Sequence, residues 1–442
     1  MENKLSVIEL TQVDLDALEI PISQNKNPKI NEQAFIGILK EFVEIAARNS
    51  EASKAAIAIN VISFFSAIVG RRVFQWIGDI KIHCRPFFLL VGNSSKARKG
   101  TSEYLPRRVF KRVDEILTSR ILLHKTLNIH TGGLSSGEGI AYAIRDSSDD
   151  GKDIGIDDKR LLVIEPEFAG VLANCRRESS TLSAVIRNCF DGRDLAPLTK
   201  TNRTRATDPH VVIVAHITSH ELIERLSAVD INNGLINRFL TFFIAREKLV
   251  PLPEKTPQKD IDYLANKIVD ILEFVDDLFL GGIEQEIFMN DNAKIFWSKI
   301  YSTLSADVFG NVGIILARTE VYTRMLAMIF ALFEKKVIIE VSHIRAAVCL
   351  IDYFHESVKF IFQQKHEAEI DNLANKILML LQEQKQMTRT EISNALNGHK
   401  LASEIEKALS HLLNQAPSRI SQIKQSGTGG RAKIIYQLSE IS

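Results

Sequence analysis

A run of apolar residues, Phe87 to Val91, opens into Gly92-Asn93-Ser94-Ser95-Lys96-Ala97-Arg98-Lys99-Gly100-Thr101-Ser102. A strand that ends in a loop of small residues, lysines and hydroxyls, with a helix start behind it, points backbone N–H groups at an anion, above all a phosphate. In that chemistry a lysine, here Lys99, neutralises the outer phosphate oxygens, and a hydroxyl, here Thr101, completes the shell of a magnesium ion. The regular order, with Gly and Lys directly before Ser or Thr, is not met, because the chain reads Lys99-Gly100-Thr101. A polar strand-to-helix turn without a ligand would use the same residues.

Further along, Leu161-Leu162-Val163-Ile164 runs into Glu165-Pro166-Glu167-Phe168. Nucleotide hydrolysis needs an acid at a strand end to hold a metal and a second acid to orient the attacking water. Glu165 is assigned to the metal and Glu167 to the water, with Pro166 between them leaving the two roles open to exchange. The apolar run Val211 to Ala215 ends in His216-Ile217-Thr218, where His216, or alternatively Thr218, would sense the γ-phosphate or the water. Arg238, in Asn233-Gly234-Leu235-Ile236-Asn237-Arg238-Phe239-Leu240, stands where an arginine can reach a neighbouring subunit's ATP; the plain alternative is a surface salt bridge. Arg318, in preference to Arg324, opens a later helix from which a second arginine would reach back to the γ-phosphate. Each piece is small, and the agreement of all five in order is what carries weight.

These side chains need a scaffold of alternating strands and helices. Residues 1–30, with Pro21 and Pro28, read as an extended arm, and apolar residues at helical spacing (Phe35, Ile38, Leu39, Phe42, Ile45) make residues 31–85 a helical region. Residues 86–250 alternate short apolar runs with helical patterns, the mark of a parallel sheet covered by helices in an α/β core. Its expected strands are Phe87 to Val91, Leu161 to Ile164, Val211 to Ala215 and Leu240 to Ile244. Residues 251–365 read as a helical lid and Gln363 to Ile370 as a polar link. Residues 371–442 follow the order helix, helix, helix, hairpin around the Gly-rich turn Ser426 to Gly430, a winged-helix pattern. Its third helix, Leu401 to Asn414, carries Glu404 and Glu406 and is a poor groove reader; Lys424, Arg431 and Lys433 on the wing are better placed for DNA backbone.

The chain has 442 residues, enough for two or three domains, with 45% apolar and 25% charged residues, as in folded globular proteins. Its 55 Lys and Arg nearly balance 54 Asp and Glu, so nucleic-acid binding would come from local patches. The four cysteines, Cys84, Cys175, Cys189 and Cys349, form no CxxC pair, which argues against a zinc ribbon or disulfide framework and fits a reducing cytoplasm. No basic start with an apolar run marks a signal peptide. The apolar stretch Ala55 to Gly70, broken by Asn60 and Ser63, reads as a buried core helix and not a membrane span.

The blocks Val91 to Ser102, Thr131 to Gly139 (Thr-Gly-Gly-Leu-Ser-Ser-Gly-Glu-Gly), Glu165 to Ala169 and Asn233 to Leu240 resemble a family of P-loop ATPases encoded by prophages, plasmids and integrative elements, often near or fused to primases. The resemblance spans roughly residues 35 to 365. More distantly the layout is similar to the MCM replicative helicases, AAA+ hexamers with a winged-helix tail. It implies an AAA+ core that uses ATP and Mg²⁺, a homo-hexameric ring, single-stranded DNA in a central channel and a separate primase or polymerase partner. It also implies that Asp194 to Pro209 is a hairpin projecting into that channel, with Lys200, Arg203 and Arg205 gripping phosphates; an exposed basic loop is the plain alternative. The expected activity is a helicase, translocase or initiator-loader, and the rival is an ATP-dependent scaffold or switch that does not unwind.

Overall fold

The computed structural model describes residues 27–93, 100–120, 125–149, 151–196, 204–306, 308, 310–396, 401–414, 418–425 and 433–439, with the backbone alone at 228, 280, 364–369 and 371. Of the expected site, Ser94 to Lys99, Lys200, Arg203 and Arg431 lie outside the described residues.

The N-terminal helices Ile38–Ala47 and Lys54–Val69 form for different reasons. The first buries Ile38, Leu39, Phe42, Val43 and Ala46, one stripe at three-and-four spacing, and leaves the other face to solvent. The second is buried on every side from Ala55 to Val69, because it lies between the sheet and the other helices. Full burial of a Phe such as Phe64 or Phe65 contributes about 2 kcal/mol, which offsets the polar Asn60, Ser63 and Ser66 buried in the same helix. Among the described residues no helix is long and apolar enough to cross a membrane.

Strands β1 (Val73–Ile77) and β2 (Ile80–His83) then form an antiparallel hairpin inside the segment expected to be helical only. The main sheet follows: β3 (Phe87–Val91), β4 (Asn128–Thr131), β5 (Arg160–Glu165), β6 (His210–Ile217) and β7 (Leu240–Phe243). It has the order β4-β5-β6-β3-β7 and every neighbouring pair is parallel. Four of the strands match the apolar runs to within two residues at either end. β4 is an edge strand, exposed along its length, and carries no apolar run that would have announced it. Helices cover both faces, and β3, β5, β6 and β7 are almost wholly buried, as an all-parallel sheet requires.

The segment after the sheet is mostly helical: Gln258–Leu278, Asp291–Leu304, Gly310–Leu316 and Thr319–Phe333. Three two-residue strands interrupt it. β8 (Gln285–Glu286) pairs in parallel with β1, and β9 (Phe288–Met289) pairs with β10 (Ile338–Ile339). The polar link expected at Gln363 to Ile370 does not break the chain; a single helix, Val341–Gln384, runs straight through it. The link has neither Gly nor Pro, and its Gln, Lys, Glu and Ala are good helix formers, so nothing local stops the helix until Lys385, at φ +62°.

Beyond it, helices Arg389–Ala395 and Ala402–Asn414 and strands β11 (Gln386–Thr388), β12 (Ile420–Gln425) and β13 (Lys433–Leu438) make a unit with its own apolar core, including Ile377, Leu381, Ile405, Leu409 and Ile420. Its sheet is antiparallel in the order β11-β13-β12.

Candidate functional site

Gly92 follows β3 directly and donates its N–H to Ile217 O at 3.2 Å, so the start of the loop is tied to the C-terminal end of β6. Asn93 and Gly100 are exposed on either side of the residues outside the description. The helix Thr101–Arg120 begins immediately after. Its two hydroxyls have different surroundings: Thr101 is exposed, whereas Ser102 is 1% exposed and its Oγ accepts from Asn60 Nδ2 at 3.0 Å. Thr101 therefore remains the hydroxyl turned outward. Both residues line a cavity of about 210 Å³, with Tyr104 and Arg108 on one wall and Arg48 and Pro253 on others.

Glu165 ends β5, two strands away from β3, with β6 between them. At roughly 4.8 Å per strand, the acid and the loop stand about 10 Å apart across the sheet, room for a phosphate chain and a metal. The Glu165 carboxylate is 1% exposed and aimed by two backbone donors, Leu134 N–H on Oε2 at 2.7 Å and Glu167 N–H on Oε1 at 2.9 Å. Each oxygen keeps a further lone pair for a cation. Leu134 lies in the Thr131 to Gly139 block, which is packed from several sides. Asn174 Nδ2 donates to Leu134 O at 2.9 Å, Ser136 caps the helix Gly137–Ala143, and a Cβ on Gly137 would stand 2.6 Å from Val185 Cγ2. Glu167 contrasts with Glu165. It is exposed at the cap of the helix Phe168–Cys175 and its side chain makes no capping bond.

No group of three or more His, Cys, Asp or Glu side chains gathers for a metal among the described residues. A magnesium ion suits this donor set only in the manner of nucleotide sites, with one carboxylate, one hydroxyl, phosphate oxygens and water. Glu165 and Thr101 are the side chains that would hold it.

His216 and Thr218 are placed differently from expectation. β6 continues through His216 to Ile217, so His216 is a 5% exposed strand residue and not the first residue beyond a strand end. Glu165 pairs with Ala215 in register, so the side chains of Glu165 and His216 leave the sheet on opposite faces. Thr218 caps the helix Ser219–Arg225 in a reciprocal box, donating Oγ1 to Glu221 Oε2 at 2.8 Å and accepting from Glu221 N–H at 3.1 Å.

Arg238 and Arg318 are brought together, and both stand at the end of the sheet opposite the loop. Phe88 pairs with Leu240 in the β3–β7 register, which sets Arg238 level with Pro86, six residues before Gly92. Six strand residues span about 20 Å, more than an arginine side chain can cross. Arg238 is 8% exposed, donating Nη2 to Asp191 Oδ2 at 2.9 Å and Nη1 to Gly234 O at 2.7 Å. Arg318 donates Nε to Asn237 Oδ1 at 3.2 Å, and its Nη1 is 4.0 Å from Asp191 Oδ1. Arg318, expected to reach back to a γ-phosphate, is instead hydrogen bonded to Asn237 beside Arg238. Nor does Arg238 project from the single chain. Asp191 was not singled out from the sequence, since an Asp-Gly pair closing a helix reads as a cap. Arg324, the other arginine considered, donates Nη2 to Trp76 O at 2.7 Å on the β1–β2 hairpin.

Of the expected DNA contacts, Arg205 is exposed and 3.4 Å from Asp194. A bridge joins Leu195 and Ala206, with N–H···O distances of 2.9 and 2.8 Å; Lys200 and Arg203, between them in sequence, lie outside the described residues. Lys424 is exposed on β12, and Lys433, exposed on β13, is 3.9 Å from Glu391.

Comparison with protein-family models found no match, and comparison with curated proteins found no similar chain. What the chain itself defines is a mixed α/β protein built on a five-stranded, all-parallel sheet flanked by helices, compatible with a phosphate-loop core.

Proposed function

We propose that this chain is an AAA+ ATPase, akin to those of mobile elements and more distantly to the MCM helicases, which uses ATP and Mg²⁺ to move on DNA as a hexameric ring. The observation that carries the reading is the strand order. In an open parallel sheet ligands collect at the carboxyl ends of the strands, where the order reverses. In β4-β5-β6-β3-β7 the loop strand β3 sits between β6 and β7, with the acidic strand β5 on the far side of β6. The loop would cradle the phosphates and Thr101 and Glu165 would hold the metal, which supplies charge stabilisation to the phosphoryl group. Exposed Glu167 would orient the attacking water, and the cavity beside Thr101 and Tyr104 would take the nucleoside. Arg238 and Arg318, remote from their own loop, suit a nucleotide held by a neighbouring subunit, which makes assembly a condition of hydrolysis. The helices and three-stranded sheet after residue 370 support a winged helix with a backbone-contact or docking role.

The test is ATP hydrolysis by the wild type, Lys99→Ala and Arg238→Ala, each with and without single-stranded DNA, alongside mass in solution. A DNA-stimulated wild type with both variants inactive is the expected result. A wild type that binds ATP, stays monomeric and does not hydrolyse it would replace the motor by the non-unwinding scaffold, a reading favoured by the burial of Arg238 against its own chain's Asp191.

A further inference from the structure

We propose that Asp191 is a positioning residue which holds Arg238 and Arg318 side by side as one anion-receiving pair, directed at the phosphates of a nucleotide carried by a second copy of the chain. Its role rests on the nucleotide reading above; its geometry does not.

Asp191 is the last residue of the helix Leu182–Asp191, and Gly192 caps that helix in the left-handed region at φ +68°. A Cβ at Gly192 would lie 2.3 Å from Arg85 Nη2, so a buried guanidinium is packed directly against this turn. Arg85, 2% exposed, donates Nε to Phe190 O at 2.7 Å and lies 2.9 Å from His83 Nδ1. The turn is thus held from behind while its carboxylate faces the other two arginines: Oδ2 accepts from Arg238, and Oδ1 stands near Arg318. The Phe190 ring lies under both, with centroid distances of 6.0 and 5.4 Å.

The charge balance of the cluster favours binding of an anion. Arg238 and Arg318 converge on Asp191, whose charge also acts on Arg85, with Glu320 the other acid that acts on Arg318. Burial first, and then the Arg238 charge, push the Arg318 guanidinium down, outweighing Asp191 and Glu320. Arg238 Nε is buried without a partner among the described residues. A carboxylate between two guanidinium groups offsets their repulsion, so removing that carboxylate loosens their common aim.

The test combines an arginine-specific dicarbonyl label, phenylglyoxal, mapped by mass spectrometry, with hydrolysis kinetics on the full chain. In Asp191→Asn, labelling of Arg238 and Arg318 is expected to rise about fivefold while the labelling of other arginines holds. The kcat is expected to fall about tenfold with KM for ATP unchanged, because aim and not binding is lost. Asp191→Glu, which keeps the carboxylate, retains part of both properties. The proposal is overturned by unchanged labelling of Arg238 and Arg318, or by a rise in labelling spread over all arginines. A wild type without hydrolysis overturns the nucleotide reading alone, and labelling still decides Asp191.

Discussion

Asn60 donates its Nδ2 to Ser102 Oγ at 3.0 Å, joining the one amide side chain of a wholly buried helix to the first turn of the helix that follows the loop. Its Oδ1 is buried without a partner among the described residues. Asn60→Ala should cost about 1–3 kcal/mol by urea unfolding, because it breaks the bond and opens a cavity. Asn60→Leu fills the space and removes the orphaned acceptor, so its loss should be about 1 kcal/mol or less. Equal losses in the two variants would show that the hydrogen bond lost in both, and not the cavity, sets the cost.

Glu165 and Glu167 should separate cleanly. Glu165→Gln sets an NH₂ against one of two backbone N–H donors, which costs about 1–3 kcal/mol of stability and, on the proposed reading, a ligand of the metal. Glu167→Gln, exposed and unbonded at its cap, should change stability by under about 0.5 kcal/mol yet lower hydrolysis about a hundredfold, with nucleotide binding kept. Thermal unfolding and single-turnover kinetics on both variants check this; the reverse pattern would exchange the two roles.

Acid should weaken the fold before the carboxylates protonate. Burial pushes His83 and His355 down to about 4 and His210 well below its ordinary value. Each is therefore neutral in the folded chain and charged in the unfolded one at mildly acid pH. Their contribution is complete above about 6.5 and declines as pH falls towards about 4. The urea midpoint should drop steadily between pH 7 and pH 5, and a flat profile over that range would count against it.

Asp352 has the opposite sign. Burial, then the neighbouring Glu356, raises its carboxyl to about 6. The stability that the neutral form contributes is complete below about 3.8 and gone above about 6. Asp352→Asn should stabilise the chain by about 1–2 kcal/mol at pH 8 and make little difference at pH 4. Equal effects at the two pH values would rule out ionisation as the cause.

The apolar runs read in the sequence became buried strands because an all-parallel sheet must be apolar on both faces, and that demand is written residue by residue. Ser102 could be told from Thr101 only once Asn60 lay against it. The hairpin β1–β2 escaped notice because its two-residue turn, Gly78-Asp79, lies between short strands that follow a strongly helical pattern. β4 escaped because an exposed edge strand needs no apolar run.

Local sequence determined four of the five strands of the main sheet, that small residues follow β3, and that acids end β5, since spacing and propensity act over a few residues. Tertiary structure alone decided the order β4-β5-β6-β3-β7, the two N–H donors that aim Glu165, and the meeting of Arg238 and Arg318 on Asp191. Strand order and long-range ion pairs follow from how whole elements bury their surfaces together, and no short stretch of sequence encodes that.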